Sequence, residues 1–173
     1  MRIFTINNKT EEKFLRKKTA KFDFSKNGKK DIENLIGKMK SAMIKAHGIG
    51  LSANQINLDI QLFVAQMPKI TNNQRPTTNN NKFYAIFNPE ITKASKEKTT
   101  MEEGCLSVPE IYGEVERPEN IILKGNNRYG KMIKIEASGL LSRVFQHEID
   151  HLNGILFIDK AKNLHKTEIN RNL

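Results

Sequence analysis

The sequence predicts an α+β fold in which mixed or antiparallel sheets surround a central helix. Two segments, Asp31–His47 and Ser138–Leu152, have apolar residues at helical spacing, and the chain between them contains short strand-like runs. Strands therefore dominate the middle of the chain and helices lie at either side, which is the pattern of the α+β class. At 173 residues without an internal repeat, the chain is expected to form one domain over residues 1–173.

The first predicted helix, Asp31–His47, is defined by its apolar period and its ends. Asp31 is a candidate N-cap, and Gly48 is well placed to end the helix. The apolar residues recur three and four positions apart, at Ile32, Leu35, Ile36, Met39, Met43 and Ala46.

The middle of the chain predicts strands, at Leu58–Met67, Phe83–Phe87, Ile121–Lys124 and Met132–Glu136. The last two are joined across a GNNRYG turn, which favours a hairpin. The polar stretch at 71–81, TNNQRPTTNNN, predicts an exposed loop between two strands. A further apolar run, Ile155–Ile158, follows the second helix.

The second predicted helix, Ser138–Leu152, has Ser138 as a candidate cap and Gly154 just past its end. Its apolar residues repeat at helical spacing and are Leu140, Leu141, Val144, Phe145, Ile149 and Leu152. We expect Leu140 and Val144 to form a core-facing stripe that the histidines of this helix continue.

Composition excludes several classes of protein. A hydrophobic content of 38% argues against disorder, and a single cysteine excludes an intramolecular disulfide framework. No apolar run approaches the roughly 18–20 residues that cross a bilayer, and the first residues lack a secretory signal, so we expect a cytoplasmic protein with no membrane partner. The net charge of +10 is compatible with nucleic-acid binding, but no aromatic residues alternate with the basic ones, so we expect no DNA partner.

The second helix contains the pentapeptide His147-Glu148-Ile149-Asp150-His151, an H-E-x-x-H motif. Four residues correspond to about 400° of helical rotation, so both imidazoles leave the same face and can bind one cation. Glu148 can then approach a water at the metal without being a ligand. A chance pair of solvated histidines is the alternative for such a short motif.

A catalytic metal centre generally takes three protein ligands and leaves one position to water. His165 lies in a polar tail and His47 at a helix end, so both are better explained as surface residues. The lone Cys105, in the sequence EEGCLS, is the better third ligand. The alternative is that Cys105 is a small buried apolar residue.

The loop GIGLSANQ, at 48–55, is a third feature. It lacks the Gly-Lys-Ser/Thr of a phosphate loop, but its glycines allow a substrate to approach the backbone closely, and Gln55 could present an amide donor to a carbonyl oxygen. A tight helix-to-strand turn without a substrate role is the alternative.

Taken together and in this order, GIGLSANQ, EEGCLS and QHEIDHLNG closely resemble the motifs of peptide deformylases. The resemblance runs from about Leu15 to Lys160. One departure is Ser52, where the family often has alanine.

The resemblance implies a cytoplasmic hydrolase that removes the formyl group from the N-terminal formyl-methionine of nascent chains and releases formate. By analogy Cys105, His147 and His151 hold one divalent metal ion, with Fe²⁺ expected natively and Zn²⁺, Ni²⁺ or Co²⁺ as substitutes in crystals. Glu148 is the general acid/base for a metal-bound hydroxide nucleophile, and the Gln55 amide and the Leu106 backbone N–H stabilise the oxyanion.

The same analogy implies the substrate contacts. The backbones of Ile49, Gly50 and Gly104 pair with the extended formyl-methionyl peptide as an added strand. The methionine side chain enters an apolar pocket built from Ile49, Met101, Leu140 and Val144. We also expect a monomer that associates transiently with the ribosome, and we assign no role to Arg117.

Two rival functions remain at this stage. A zinc endopeptidase shares H-E-x-x-H but usually takes its third ligand downstream, not from an upstream cysteine. A catalytically inactive, metal-stabilised binding protein is the second rival, although every position that the proposed chemistry needs is intact.

Overall fold

A computed structural model describes residues 2–69 and 77–166. It contains three α-helices, α1 (Lys9–Leu15), α2 (Lys29–Lys45) and α3 (Gly139–Leu152). The strands are β1 (Gly50–Ser52), β2 (Leu62–Lys69), β3 (Thr77–Ala94), β4 (Lys98–Cys105), β5 (Val108–Pro118), β6 (Asn120–Asn126), β7 (Met132–Ser138) and β8 (Lys162–Lys166). Short 3-10 helices lie at Phe24–Lys26, Ala53–Ile56 and Phe157–Asp159.

The strands form two sheets. Five strands pair in the order β1-β2-β3-β6-β7, and three pair in the order β4-β5-β8. Neighbouring strands in both sheets are antiparallel. Helix α3 contacts β1, β2 and β7 of the larger sheet and β5 of the smaller one. The predicted α+β class with a central helix is therefore confirmed, in its antiparallel form.

The larger sheet lies between two helices. Successive residues of a strand point to opposite faces, and in β2 Leu62 and Val64 pack in the cluster that contains the α2 residues, whereas Phe63 and Ala65 pack in the cluster of α3. All four side chains are buried. The continuous apolar run of β2 is therefore explained by burial on both faces.

Helix α2 begins earlier than predicted. Gly28 is its N-cap, so Asp31 lies in the first turn, where its negative charge interacts favourably with the helix dipole. Its end is a Schellman motif, because the N–H of Gly48 donates to Met43 O and that of His47 to Ile44 O. His47, not Gly48, adopts the left-handed conformation, with φ +57°.

The strand predictions in the first half of the chain were correct in kind but wrong in extent. Strand β2 begins at Leu62 and not at residue 58. Strand β3 continues through Pro89, because the register of β3 with β6 shifts between Phe87 and Glu90 and the missing N–H of Pro89 falls in that irregularity. Of the predicted loop at 71–81, residues 77–81 belong to β3, and residues 71–76 lie outside the described residues.

The β6–β7 hairpin confirms the GNNRYG turn, with Asn126 paired to Met132. The hairpin of β4 and β5 was not predicted, although it positions Cys105. Its sequence has no apolar run, because β4 is exposed along most of its length, β5 alternates buried and exposed residues in its second half, and several of the exposed residues are glutamates. Helix α1 and strands β1 and β8 were missed because they are short.

Helix α3 matches its predicted span, and Gly154, with φ +76°, follows its end. A Cβ there would lie 2.2 Å from the carbonyl oxygen of Arg16, so only glycine fits. Ser138 occupies the N-cap position without a side-chain cap hydrogen bond. Among residues 2–69 and 77–166, none of the helices combines the length and hydrophobicity that crossing a bilayer demands.

Candidate active site

Helix α3 and strand β4 bring together three side chains of the kinds that can bind a metal ion. Helix α3 presents His147 and His151 one turn apart on one face, and β4 ends at Cys105. One ligand atom from each of the three residues lies within 4.8 Å of the others. The Sγ of Cys105 is 3.0 Å from Nε2 of His151. The expected juxtaposition of the thiol and the two imidazoles is therefore present.

Glu103 fixes the ring of His147. Its Oε2 lies 3.0 Å from Nδ1 of His147, which leaves Nε2 of that ring for the site. Arg117 donates to both Glu103 oxygens, at 2.7 and 2.9 Å, and Arg143 donates to Oε1 at 2.6 Å. Although burial raises the pKa of Glu103, the hydrogen bonds from His147 and Arg117 hold that pKa well below its usual range. A buried carboxylate therefore sets the orientation of one imidazole.

The thiol of Cys105 favours its ionised form. Burial raises its pKa, but the charge of His151 and the hydrogen bonds from His147 and His151 hold the pKa well below the usual range of a thiol. Burial lowers the pKa of His147, yet hydrogen bonds to Cys105 and Glu103 raise it to about 10. A thiolate is the form of cysteine that binds metals.

Glu148 is buried beside the ligands. Burial raises the pKa of Glu148 to about 7, against the lowering effect of His147 and His151. Its Oε2 has no hydrogen-bond partner within the described part of the chain. A carboxyl group with this pKa can both accept and donate a proton near neutral pH.

Gly50 makes room for that carboxyl group. A Cβ at Gly50 would lie 2.3 Å from Oε1 of Glu148 and 2.9 Å from its Cδ, closer than carbon and oxygen can pack. The glycine predicted to accept a substrate backbone is therefore also required by the position of Glu148.

Gln55 is held in place by Ser52. The Oε1 of Gln55 accepts from the N–H of Ser52 at 2.9 Å and lies 3.0 Å from its hydroxyl oxygen. This leaves Nε2 to donate to Ser107 Oγ at 3.0 Å and to the Sγ of Cys105 at 3.6 Å. The backbone N–H of Ser52, with its hydroxyl group close by, therefore orients the Gln55 amide so that Nε2 faces Ser107 and Cys105.

These side chains open onto a cavity of about 520 Å³. Its walls include most of the residues predicted for catalysis and substrate binding, namely Ile49, Gly50, Gln55, Gly104, Cys105, Leu106, Leu140, Val144, His147 and Glu148. His151 is buried behind this wall. Met101 is 45% exposed on β4 and is not among the lining residues, so the structure does not bring it to the predicted methionine pocket.

One prediction for α3 was only half correct. Leu140 and Val144 were expected to face the core, but Leu140 is 38% exposed and lines the cavity. Val144 is buried and packs in the core cluster with Phe145, Ile149 and Leu152, although it also lines the cavity. Of the two histidines, His147 continues the cavity face of the helix and His151 is buried.

Sequence reasoning missed several residues of the site. Glu103 is two residues before Cys105, and side chains two apart on a strand share a face, so a strand prediction there would have found it. Arg143 is four residues before His147 on the same helix face. Arg117, which was singled out without a role, is buried and binds Glu103 and Asp150, the latter at 2.7 Å. His47 is exposed, as predicted, and also lines the cavity.

The donor set fits a divalent transition metal. One thiol and two imidazoles are ligands for zinc, iron, nickel or cobalt, and three protein ligands leave room for a water or a substrate. The buried Oε2 of Glu148 has no hydrogen-bond partner among the described residues and so remains an available acceptor beside these three side chains. The outer hydrogen bond that commonly orients a metal-binding histidine is also present, because Nδ1 of His147 donates to the carboxylate of Glu103.

Comparison with known proteins assigns this site to a family. The profile of the polypeptide deformylase family matches residues 2–167. The peptide deformylase of Rhizobium meliloti is 41% identical over 141 residues, which cover 82% of this chain and 77% of the relative.

Solved structures agree with this assignment. A probable peptide deformylase from Synechococcus phage S-SSM7 has 38% identity and a TM-score of 0.79, covering 92% of this chain and 99% of that one. A Met-Ala-Ser-bound class I type b peptide deformylase from Acinetobacter baumannii has 29% identity and a TM-score of 0.80, covering 92% of this chain and 97% of that one. The chain therefore belongs to the peptide deformylase family, the hydrolases that remove N-formyl groups from nascent polypeptides.

Proposed function

We propose that this chain is a metal-dependent deformylase whose three metal ligands are Cys105, His147 and His151. The observation that carries the proposal is the convergence of these ligand atoms within 4.8 Å of one another, beside the buried Glu148, at the wall of one cavity. A bound divalent ion supplies Lewis acidity there, which activates a water near neutral pH. We propose Fe²⁺ as the native ion, with Zn²⁺, Ni²⁺ or Co²⁺ able to replace it.

Glu148 moves the proton in this reaction. Its carboxylate takes a proton from the attacking water as the C–O bond forms at the formyl carbon. It then passes that proton to the methionine nitrogen as the C–N bond breaks, so that formate and a free amino terminus leave. Burial raises the pKa of this carboxyl group toward neutrality, which suits both steps.

Two donors stabilise the charge that develops on the formyl oxygen. The Nε2 of Gln55 is aimed at the cluster because Ser52 holds the other end of its amide. The backbone N–H of Leu106, the residue after Cys105 at the cavity wall, is the second donor. Preorganised donors of this kind lower the barrier because they need no reorientation during the reaction.

The substrate backbone binds as an extra strand between Ile49–Gly50 and Gly104. All three residues line the cavity, and the methionine side chain fits the apolar wall of Leu140 and Val144. A tripeptide beginning with methionine is bound in the Acinetobacter baumannii relative, which supports this use of the cavity. Main-chain pairing explains why sequence beyond the first residue is tolerated.

Glu148→Ala tests the mechanism. We expect turnover of formyl-Met-Ala-Ser to fall by about 10²–10⁴-fold, the range for loss of a general acid/base, while the metal content stays at the wild-type value. The control is the thermal midpoint of the variant, which reports folding. Full turnover by a metal-loaded Glu148→Ala protein would show that another group moves the proton.

The endopeptidase alternative is separated by substrate choice. The enzyme should release formate from formyl-Met-Ala-Ser and leave internal bonds of an acetylated, unformylated peptide uncut. Cleavage of internal bonds at a comparable kcat/KM would favour the endopeptidase. Absence of both activities in metal-loaded protein would favour the inactive binding protein.

We propose that the protein is a cytoplasmic monomer and that its partner, besides the substrate, is the ribosome. The positive charge is unevenly distributed, because residues 2–69 contain 14 Lys and Arg against 6 Asp and Glu, whereas residues 77–166 contain 13 against 12. Exposed lysines of α2 belong to the basic part, and α2 ends beside the cavity at His47. Phosphate-rich RNA attracts such a surface in a salt-dependent manner.

Co-sedimentation with ribosomes tests this partner. We expect binding at low salt that weakens steeply as salt is raised, and that is lost in the triple variant K30E/K38E/K45E on α2. The control triple variant, K93E/K96E/K124E, changes the same number of exposed lysines, two on the larger sheet and Lys96 in the loop that follows β3, and should bind. Equal binding by all three proteins, or none by the wild type, would remove ribosome association from the account.

A further inference from the structure

The side chain of Arg143 joins the two elements that carry the proposed metal ligands. Arg143 is 5% exposed and lies on α3, one turn before His147. From there its guanidinium reaches β4 and β5, where it donates to Glu103 Oε1 at 2.6 Å, to Thr99 O at 2.7 Å and to Val115 O at 2.9 Å. One side chain thus bridges the helix to both strands of the hairpin that ends at Cys105.

These contacts limit the movement of the proposed ligands. Cys105 is two residues from Glu103 on β4, and His147 is four residues from Arg143 on α3. Glu103 is in turn bonded to His147 Nδ1 at 3.0 Å. Arg143 therefore acts on the site in two ways: it fixes the spacing between strand and helix, and it holds the carboxylate that orients the His147 ring.

Arg117 does not duplicate this arrangement. Its guanidinium binds Glu103 from β5 and then continues to Asp150 on α3 at 2.7 Å. It reaches neither the carbonyl of Thr99 nor that of Val115, to which Arg143 donates. If Arg143 were lost, Arg117 would still neutralise Glu103, but Oε1 would lose one of its two donors and the backbone of β4 would lose its tie to α3.

We propose that Arg143 is a positioning residue that preorganises the metal ligands through Glu103 and the β4 backbone. The inference rests on the proposed metal site and deepens it. It predicts that metal affinity depends on a residue that touches neither the ion nor the substrate. Residues that orient metal ligands commonly change metal affinity or activity by about 10–100-fold when they are mutated.

Arg143→Met is the direct test, because methionine keeps much of the apolar stem and removes the guanidinium. The affinity of purified, metal-free protein for Co²⁺ is measured by competition with a chelator, and the visible absorption of the Co²⁺ form reports the ligand geometry. We expect affinity to fall by about 10–100-fold and the Co²⁺ bands to shift. We also expect kcat for formyl-Met-Ala-Ser to fall more than KM rises.

Arg143→Lys provides partial rescue. A single ammonium can reach Glu103 but cannot also serve both carbonyl oxygens, so its metal affinity should lie between those of the wild type and Arg143→Met. Because this variant keeps a positive charge beside Glu103, it can still be measured if Arg143→Met does not fold.

Gln146→Met is the matched control on the same helix. Gln146 is 7% exposed and ties α3 to Pro118 O at 2.9 Å, but it has no contact with Glu103. We expect Gln146→Met to lower the thermal midpoint and to leave Co²⁺ affinity within about twofold of the wild type. Arg143→Met should instead lose affinity beyond what its thermal midpoint explains.

The outcomes distinguish this inference from the proposed function. A wild-type protein that does not bind Co²⁺ would overturn the metal site itself. A wild type that binds, with Arg143→Met or Arg143→Lys giving unchanged affinity and an unchanged Co²⁺ spectrum, would overturn only the role of Arg143. Equal losses of affinity in Arg143→Met and Gln146→Met would also overturn it, because general destabilisation would then suffice.

Discussion

At the scale of single residues, Gly50 connects the fold to the proposed chemistry. Its missing side chain leaves the space that the carboxyl group of Glu148 occupies, since a Cβ would lie 2.3 Å from Oε1. We expect Gly50→Ala to displace that carboxyl group and to lower kcat by about 100-fold, the effect of misplacing a catalytic group by about 1 Å. Steady-state deformylation with metal content as the parallel readout measures this.

The control for this substitution is Gly37→Ala. Gly37 lies within α2, and a Cβ there would meet no atom within 4 Å. The same chemical change should leave kcat unchanged and raise the free energy of unfolding by about 1 kcal/mol, because alanine favours helix more than glycine does. A Gly50→Ala enzyme with the turnover of Gly37→Ala would contradict the tight packing of Glu148.

At the scale of elements, one face of α3 packs in the core and contributes to stability, whereas the other lines the cavity and contributes to the proposed function. Phe145 is fully buried, with its ring centroid 5.3 Å from that of Phe63 and 5.1 Å from that of Tyr84. We expect Phe145→Ala to lower the free energy of unfolding by about 3–5 kcal/mol, the range for a buried aromatic side chain. Urea unfolding followed by circular dichroism measures the difference.

Leu140→Ala is the counterpart on the cavity face of α3. Because Leu140 is 38% exposed, its truncation should cost less than about 1 kcal/mol. It should raise KM for formyl-methionyl peptides, since the proposed methionine pocket loses part of its wall. A large stability loss with unchanged KM would show that Leu140 belongs to the core as first predicted.

The contacts between α1 and the segment before it give a prediction for acid stability. The carboxylate of Glu11 accepts from the N–H of Thr5 at 2.8 Å and pairs with Arg2, and these contacts lower its pKa. A lowered pKa means that this contribution to stability is present above the unfolded value of about 4.5 and is lost as the pH falls through the folded value.

Glu11→Gln tests that contribution. The variant should be less stable than the wild type at pH 7, and the two should converge as the pH falls below about 4.5. Thermal midpoints between pH 3 and pH 7 measure the difference. A constant difference across this range would show that the charge of Glu11 has no part in it.

The elements also show what the sequence can predict. Helices α2 and α3 were found because a long apolar period identifies a helix even when its ends are misplaced. In α2 the N-cap is Gly28 and not the predicted Asp31. Strands β4 and β5 were missed because they are stabilised by their pairing with each other and by the buried ion pair of Glu103 and Arg117. Neither of these interactions produces an apolar run in the sequence. Non-local interactions of this kind leave little trace in a local pattern.

At the scale of the whole molecule, the site likewise combines features that local motifs predict with contacts that only the folded chain creates. Motifs were sufficient to predict that Cys105, His147 and His151 would meet, and their ligand atoms do converge. Their roles as ligands stay a prediction, as does the oxyanion role of Gln55 and Leu106. The arginines that bind Glu103 come from β5 and α3, far apart in sequence, so only the folded chain reveals them.

We also propose that residues 1–173 form one domain. The three proposed ligands come from β4 and α3, and α3 contacts both sheets, so the two sheets cannot separate without disrupting α3 contacts. Calorimetry should therefore show one cooperative unfolding transition that metal loading moves to higher temperature. Two resolved transitions would contradict a single domain.

The central claim is that Cys105, His147 and His151 hold one divalent ion on which deformylation depends. Its most direct measurement is metal stoichiometry together with formyl-Met-Ala-Ser turnover, for anaerobically purified wild type and for Cys105→Ala, before and after chelation and return of Fe²⁺. We predict one ion per wild-type chain, loss of turnover on chelation and its return with Fe²⁺, and neither binding nor turnover in Cys105→Ala. A chelated, metal-free wild type with full turnover, or a Cys105→Ala protein that keeps both its ion and its activity, would contradict the account.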